Sequence, residues 1–176
     1  LVRNFGADAA SAAGFSIARG DAVVAISADL QDPPELILPM IAKWREGYRI
    51  VLAARTRRED PIFVRITSAV FWRLFRKFAV PTMPAGGCDY VLVDRVVLDQ
   101  LASVRESAGG VARILWTGYP PAVIGYRRQK RLAKYGKSKW SVAKRVRYLV
   151  DMFVTFTDFP LRASSLLGIV LAFIGA

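Results

Sequence analysis

The 176-residue sequence contains no histidine and one cysteine, Cys88. The first absence excludes every histidine-based triad and histidine-ligated zinc site. The second excludes an intrachain disulfide framework. Acidic residues are scarce too, 14 against 26 lysines and arginines, for a formal net charge of +12. Any chemistry must therefore use carboxylates, arginines, lysines, hydroxyls or a metal held by oxygen. What abounds is apolar, 53% of the residues, enough for one ordinary domain with a core. A basic balance points to an anionic partner: nucleic acid, an anionic membrane surface or a phosphorylated substrate. The apolar content tilts that choice toward membrane. The positive charge crowds beside apolar helices and no RNA- or DNA-binding signature is present, so no nucleic-acid partner is expected.

The acidic residues that do occur gather after an apolar run. Residues 22–26 read as a strand, which empties into Asp29, Gln31 and Asp32, followed by Pro33-Pro34 and a helical pattern from Glu35. In open α/β sheets ligands bind outside the carboxyl ends of the strands. An Asp-x-Gln-Asp loop there suits a hard divalent cation carrying substrate phosphates, or an exposed acidic turn that starts a helix.

Around that loop, residues 4–19 are rich in small and apolar side chains, as in a helix packing closely on a sheet. Residues 35–46 form an amphipathic helix with Leu36, Ile37, Met40, Ile41 and Trp44 inward, ended by Gly47. The next strand, 48–54, completes a β-α-β step and is expected to pair in parallel with the first. A basic loop with Arg55, Arg57 and Arg58 leads to a helix over 65–78 that is aromatic and basic together. It reads either as a core helix with snorkelling arginines or as an interfacial helix whose aromatics dip into a membrane.

A strand over 88–93 follows, and Asp94 is placed to cap the helix over 96–104. Asp89 comes after a glycine pair, where substrate could approach the backbone closely, and is a candidate catalytic base. After a helix over 109–116 and a strand over 123–128 comes a Gly-centred basic loop reaching Lys139, suited to clamping a phosphate. Residues 141–156 read as an amphipathic helix with Lys144, Arg145 and Arg147 opposed to Val142, Val146, Leu149, Val150 and Phe153. The uncharged run 164–176 is shorter than the roughly 20 residues that span a bilayer. It is expected to be a truncated transmembrane helix, the alternative being a buried terminal helix or hairpin. Basic residues ahead of it imply a cytoplasmic side.

Several blocks together carry a family resemblance: SADLQDPPELILPMIAKWREGY, IVLAAR, GGCDYVLVDR, WTGY and YGKSKWS, with RNFGADAASAAGFSIARGD before them and DFPLR after. The chain resembles the membrane-bound polyprenyl-phosphate glycosyltransferases of family 2, relatives of dolichol-phosphate mannose synthase and of bactoprenol glucosyl transferase. That resemblance implies an α/β, Rossmann-like single-domain glycosyltransferase of the GT-A type, a sheet with helices on both faces. Amphipathic juxtamembrane helices and the start of a transmembrane helix would follow. It implies a partial catalytic domain over 1–135, a phosphate-clamping loop and juxtamembrane helix over 136–162, and the start of the span over 163–176. The family's first strand would precede Leu1.

The implied activity is inverting transfer of a sugar from a nucleotide-sugar donor to a polyprenyl phosphate at the cytoplasmic face of the cell membrane. The resemblance implies that Asp29 and Gln31 bind Mg2+ or Mn2+ and the donor pyrophosphate. The family's first aspartate is Ser27 here, which weakens metal binding or shifts a ligand to Asp32. Arg55 and Arg65 match acceptor-phosphate positions, Ser138 and Lys139 match the loop closing over the phosphates, and Asp89 matches the acidic residue of the Gly-Asp strand, a candidate base. Arg131 or Lys134 substitutes for an arginine that is out of register. Lys139 belongs to both donor and acceptor sets, and a homo-oligomer is left open. A catalytically silent, anionic-lipid-binding relative is the alternative.

Overall fold

The computed structural model describes residues 2–28, 31–56, 62–102, 110–127 and 142–175. In chain order these form α1 (Ala7–Ile17), β1 (Ala22–Ala25), a 3-10 turn (Pro34–Leu36) and α2 (Ile37–Arg45). Then follow β2 (Ile50–Arg55), α3 (Ile62–Phe78), β3 (Tyr90–Asp94), α4 (Arg95–Ala102) and α5 (Gly110–Leu115). β4 (Pro121–Tyr126), α6 (Val142–Phe156) and α7 (Phe159–Gly175) complete the described elements.

The four strands lie in the order β1-β3-β2-β4. β3 is antiparallel to both β1 and β2, while β2 and β4 are parallel. The expected direct pairing of the first two strands is therefore incorrect, although they do run in the same direction. The reason lies in burial. β2 and β3 carry runs of buried residues, Ile50–Ala53 and Tyr90–Val93, whereas β1 is only half-buried throughout. A strand apolar on both faces belongs in the centre, and β3 takes that place between its two predecessors.

Alternation along the strands divides the core into two layers. Ile50, Leu52, Val91 and Val93 face Phe75, Val97, Leu98, Ile114, Met152 and Phe156, so α3, α4, α5 and α6 cover that side. Val51, Ala53, Tyr90 and Leu92 face Met40, with Leu36, Ile37, Ile41 and Trp44 packed around it. The inward face of α2 is the expected one. The result is a mixed α/β domain with helices on both faces of the sheet.

Three helices show which of their faces pack, and the first departs from the expected packing on the sheet. The first, α1, has no buried residue and lies against α4 and α5, not against the sheet; its Phe15 reaches the core. Arg95 ties its end down, donating to the carbonyls of Ala18 at 2.6 Å and Gly20 at 2.7 Å. In α3, Phe71, Trp72 and Phe75 pack inward, while Ile66, Val70, Leu74 and Phe78 form an exposed row four residues apart. Its aromatic side is thus mostly core, and it is the aliphatic side that faces out. In α6, Met152 and Phe156 are buried, whereas Val146 and Val150, of the apolar face opposed to the basic residues, are exposed beside Val154. No single helix among the described residues is long and apolar enough to cross a membrane. Val146–Phe156 and Leu161–Gly175, bent by 85° at the break, pass that test of length and composition only together.

Candidate functional site

β1, β2 and β4 run one way and β3 the other, so the start of β3 lies level with the ends of its neighbours. The register pairs Ala25 with Val91, Ala53 with Tyr90 and Arg55 with Tyr126. The acidic loop, Arg55, Asp89 and Tyr126 therefore meet at one edge of the sheet. This is the edge where open α/β sheets bind ligands.

Arg55 donates from Nη2 to Oδ2 of Asp89 at 2.6 Å. The arginine side chain is 19% exposed and the aspartate 70%. Arg55 pairs with Tyr126 across the parallel strands. Burial works against its charge, but Asp89, Tyr126 and Asp32 more than offset this, and the guanidinium's pKa is raised. A cation so placed keeps one end on Asp89 and has further N–H groups for a second anion.

Asp32 is fully buried, and its Oδ1 accepts a hydrogen bond from the Tyr126 hydroxyl. Burial and this bond push the tyrosine's pKa up. Tyr90 donates to the Pro33 carbonyl at 3.3 Å and meets Tyr126 edge-on, ring centroids 6.2 Å apart. Cys88 sits between strands with Sγ 3.2 Å from the Ala53 carbonyl and 3.1 Å from that of Tyr90. Burial pushes its thiol up to about 12.

Of the expected site residues, the structure brings Arg55 and Asp89 together and leaves Gln31 half-buried beside Asp32 in the chain. Arg65 stands exposed on α3. Asp29, Arg131, Lys134, Ser138 and Lys139 lie outside the described residues. Asp94 caps α4, accepting from the Val96 amide at 2.9 Å, and also accepts from the Trp44 indole at 2.7 Å. The glycine before Cys88 serves packing. Gly87 has φ +71°, and an added Cβ would lie 2.3 Å from the Trp72 ring.

Among the described residues no three His, Cys, Asp or Glu side chains cluster as a metal site. Asp32, as a substitute ligand for the position of Ser27, is instead enclosed and turned to Tyr126. The remaining donor set, an Asp29 carboxylate and a Gln31 amide oxygen, suits an ion such as Mg2+. Such an ion keeps waters and substrate phosphates as its other ligands.

Tyr126 and Thr56 were not singled out by sequence pattern. The available signal was a tyrosine closing an apolar strand immediately before a basic loop. A buried tyrosine needs a partner for its hydroxyl, but nothing local says that the partner is Asp32.

The sequence model described as "Glycosyl transferase family 2" matches residues 1–100. An uncharacterized glycosyltransferase, YkcC, of Bacillus subtilis is 40% identical over 97% of this chain and 53% of its own length. A "Bactoprenol glucosyl transferase" of Shigella phage SfV is 36% identical over 98% of this chain and 56% of its own. An "Undecaprenyl-phosphate 4-deoxy-4-formamido-L-arabinose transferase" of Klebsiella pneumoniae is 31% identical, with coverages of 99% and 53%. The chain spans about half the length of the curated relatives it matches.

Proposed function

Because the chain belongs to glycosyl transferase family 2, we propose that it moves a sugar from a nucleotide-sugar donor to a polyprenyl phosphate, undecaprenyl or dolichyl. The transfer takes place at the cytoplasmic face of the cell membrane, with inversion at the anomeric carbon. The observation that carries this reading is the Arg55–Asp89 pair, set beside the acidic loop at the carboxyl edge of the sheet. The names of the bactoprenol and undecaprenyl-phosphate relatives support the acceptor class.

In the transfer, an oxygen of the acceptor phosphate forms a bond to the anomeric carbon. The bond from that carbon to the nucleoside diphosphate breaks and takes its electron pair with it. Arg55 offers the acceptor phosphate N–H donors that Asp89 does not use, and orientation of this kind lowers the barrier without forming a covalent intermediate. Arg65, Arg131, Ser138 and Lys139 belong to the same acceptor proposal, and Lys139 to the donor side as well. A phosphate monoester loses its second proton near pH 6, so the nucleophile is mostly ready at neutral pH. Asp89, 70% exposed, then takes the proton from the remaining monoanion and keeps Arg55 aimed. Asp29 and Gln31 hold Mg2+ or Mn2+, which when bound supplies positive charge to the leaving diphosphate.

The outer rows of α3 and α6 and the exposed side chains of α7 support membrane contact. Phe78 stacks on Phe159 at 5.0 Å, joining the α3 row to the start of α7. Arg147 and Arg162 ahead of the apolar run favour the cytoplasmic side. Ser27 supports a second reading, a silent lipid-binding relative, whose donor binding would ignore divalent ions.

The test is a panel of radiolabelled nucleotide sugars offered with undecaprenyl and dolichyl phosphate to the full-length protein, with and without chelator. Label is expected in the organic phase for one donor, and the chelator is expected to abolish it. No lipid-linked product from any donor contradicts the reading.

A further inference from the structure

Tyr126 bonds the acidic loop through its hydroxyl and stands opposite Arg55 in the sheet. Tyr126, 6% exposed, bonds Asp32 from a position 94 residues away. Tyr126 is the register partner of Arg55, whose guanidinium is on Asp89. The tyrosine proton points to the Asp32 carboxylate. Tyr126 is itself pinned at the backbone, since its carbonyl accepts from the Thr56 amide at 2.9 Å and the Thr56 hydroxyl at 3.1 Å. Thr56 also covers Gly125, where an added Cβ would lie 2.7 Å from the threonine methyl. Tyr90 takes the neighbouring carbonyl, Pro33, so two tyrosines in edge-to-face contact grip consecutive residues of the loop.

We propose that Tyr126 is a positioning residue whose hydroxyl seats the acidic loop through Asp32 and holds it in register with Arg55, so that donor and acceptor ends of the site move as one unit. Asp32 is accordingly an anchor of the loop and not a metal ligand. The functional consequence rests on the glycosyltransferase reading; the anchoring itself does not.

Two substitutions separate anchor from ligand. Tyr126→Phe keeps the ring and removes the hydroxyl. Asp32→Asn keeps Oδ1 as an acceptor for the tyrosine and removes the charge a cation would need. Hydrogen exchange of the full-length protein reads the loop directly, through peptides covering residues 27–36. Tyr126→Phe is expected to speed exchange there by about 10-fold or more while β2 and β3 peptides keep their wild-type rates. Asp32→Asn is expected to exchange as wild type. In transfer assays, Tyr126→Phe loses about 10-fold or more in kcat/KM per folded molecule, and Asp32→Asn stays within about 3-fold. A purely structural bond would lower melting temperature and yield but leave kcat/KM of the folded enzyme alone.

Asp32→Leu guards against misfolding of the phenylalanine variant, because it deletes the bond without leaving a buried carboxylate. It must show the same faster loop exchange. Wild-type exchange in both Tyr126→Phe and Asp32→Leu overturns the proposal. So does the reverse activity order, with Asp32→Asn inactive and Tyr126→Phe normal, which is the signature of a ligand. A wild-type protein with no transfer activity contradicts the glycosyltransferase reading, while the exchange data still decide the anchor.

Discussion

In the proposed transfer Arg55 would satisfy two anions in turn, and its geometry says why lysine would not serve. One nitrogen is on Asp89 at 2.6 Å, and only a guanidinium has further donors in a fixed fork. Arg55→Lys is expected to raise the acceptor KM by about 10-fold or more, measured against polyprenyl phosphate concentration. Cys88 gives a pH-dependent prediction. Its thiol is raised by burial from 9.0 to about 12, so between those values the unfolded thiol ionises and the folded one does not. The associated stability is fully present below pH 9 and is lost as pH rises toward 12. At pH 9, iodoacetamide should therefore label folded protein about two orders of magnitude more slowly than urea-unfolded protein. Gly87→Ala meets both a positive φ and the Trp72 ring; a loss of about 2 kcal/mol or more in denaturant unfolding is expected. At this scale the sequence was legible at Arg55, which closes β2 and meets Asp89. It was silent on the bond between Asp32 and Tyr126, because a pair 94 residues apart leaves no local pattern.

Among the elements, α3 shows how one periodicity can serve two surfaces. Its aromatic residues 71, 72 and 75 pack inward, and the row Ile66-Val70-Leu74-Phe78 faces out. The composition allowed a core helix or an interfacial one, and the folded helix has a face for each. The two faces predict opposite phenotypes. Val70→Glu and Leu74→Glu should leave unfolding within about 0.5 kcal/mol of wild type, yet reduce sedimentation with anionic vesicles by about 10-fold. Phe75→Ala should cost about 3–5 kcal/mol, because it empties a fully buried site. The strands teach a related lesson. The direction of β1 and β2 could be read from the helix between them, but their separation by β3 could not. Hydrophobic runs identify central strands without saying which neighbour each one takes.

For the whole molecule, the sheet order is what makes the site. Inserting β3 antiparallel brings its leading Asp89 to the edge where β1, β2 and β4 end, so residues from four chain segments face one space. A parallel β3 would have carried that carboxylate to the opposite edge. On the flank, Phe78 of the exposed α3 row and Phe153 of α6 both meet Phe159 at the start of α7, a surface the proposed membrane contact would use. The central claim is sugar transfer to a polyprenyl phosphate held by Arg55. It is tested most directly by counting label moved from nucleotide sugar into organic-extractable lipid by full-length wild-type protein and by Arg55→Ala at equal folded concentration. The account predicts a lipid-linked sugar from the wild type and a loss of about 100-fold in kcat/KM for the acceptor in the variant. Label that never enters the lipid phase, or enters it equally with both proteins, would contradict it.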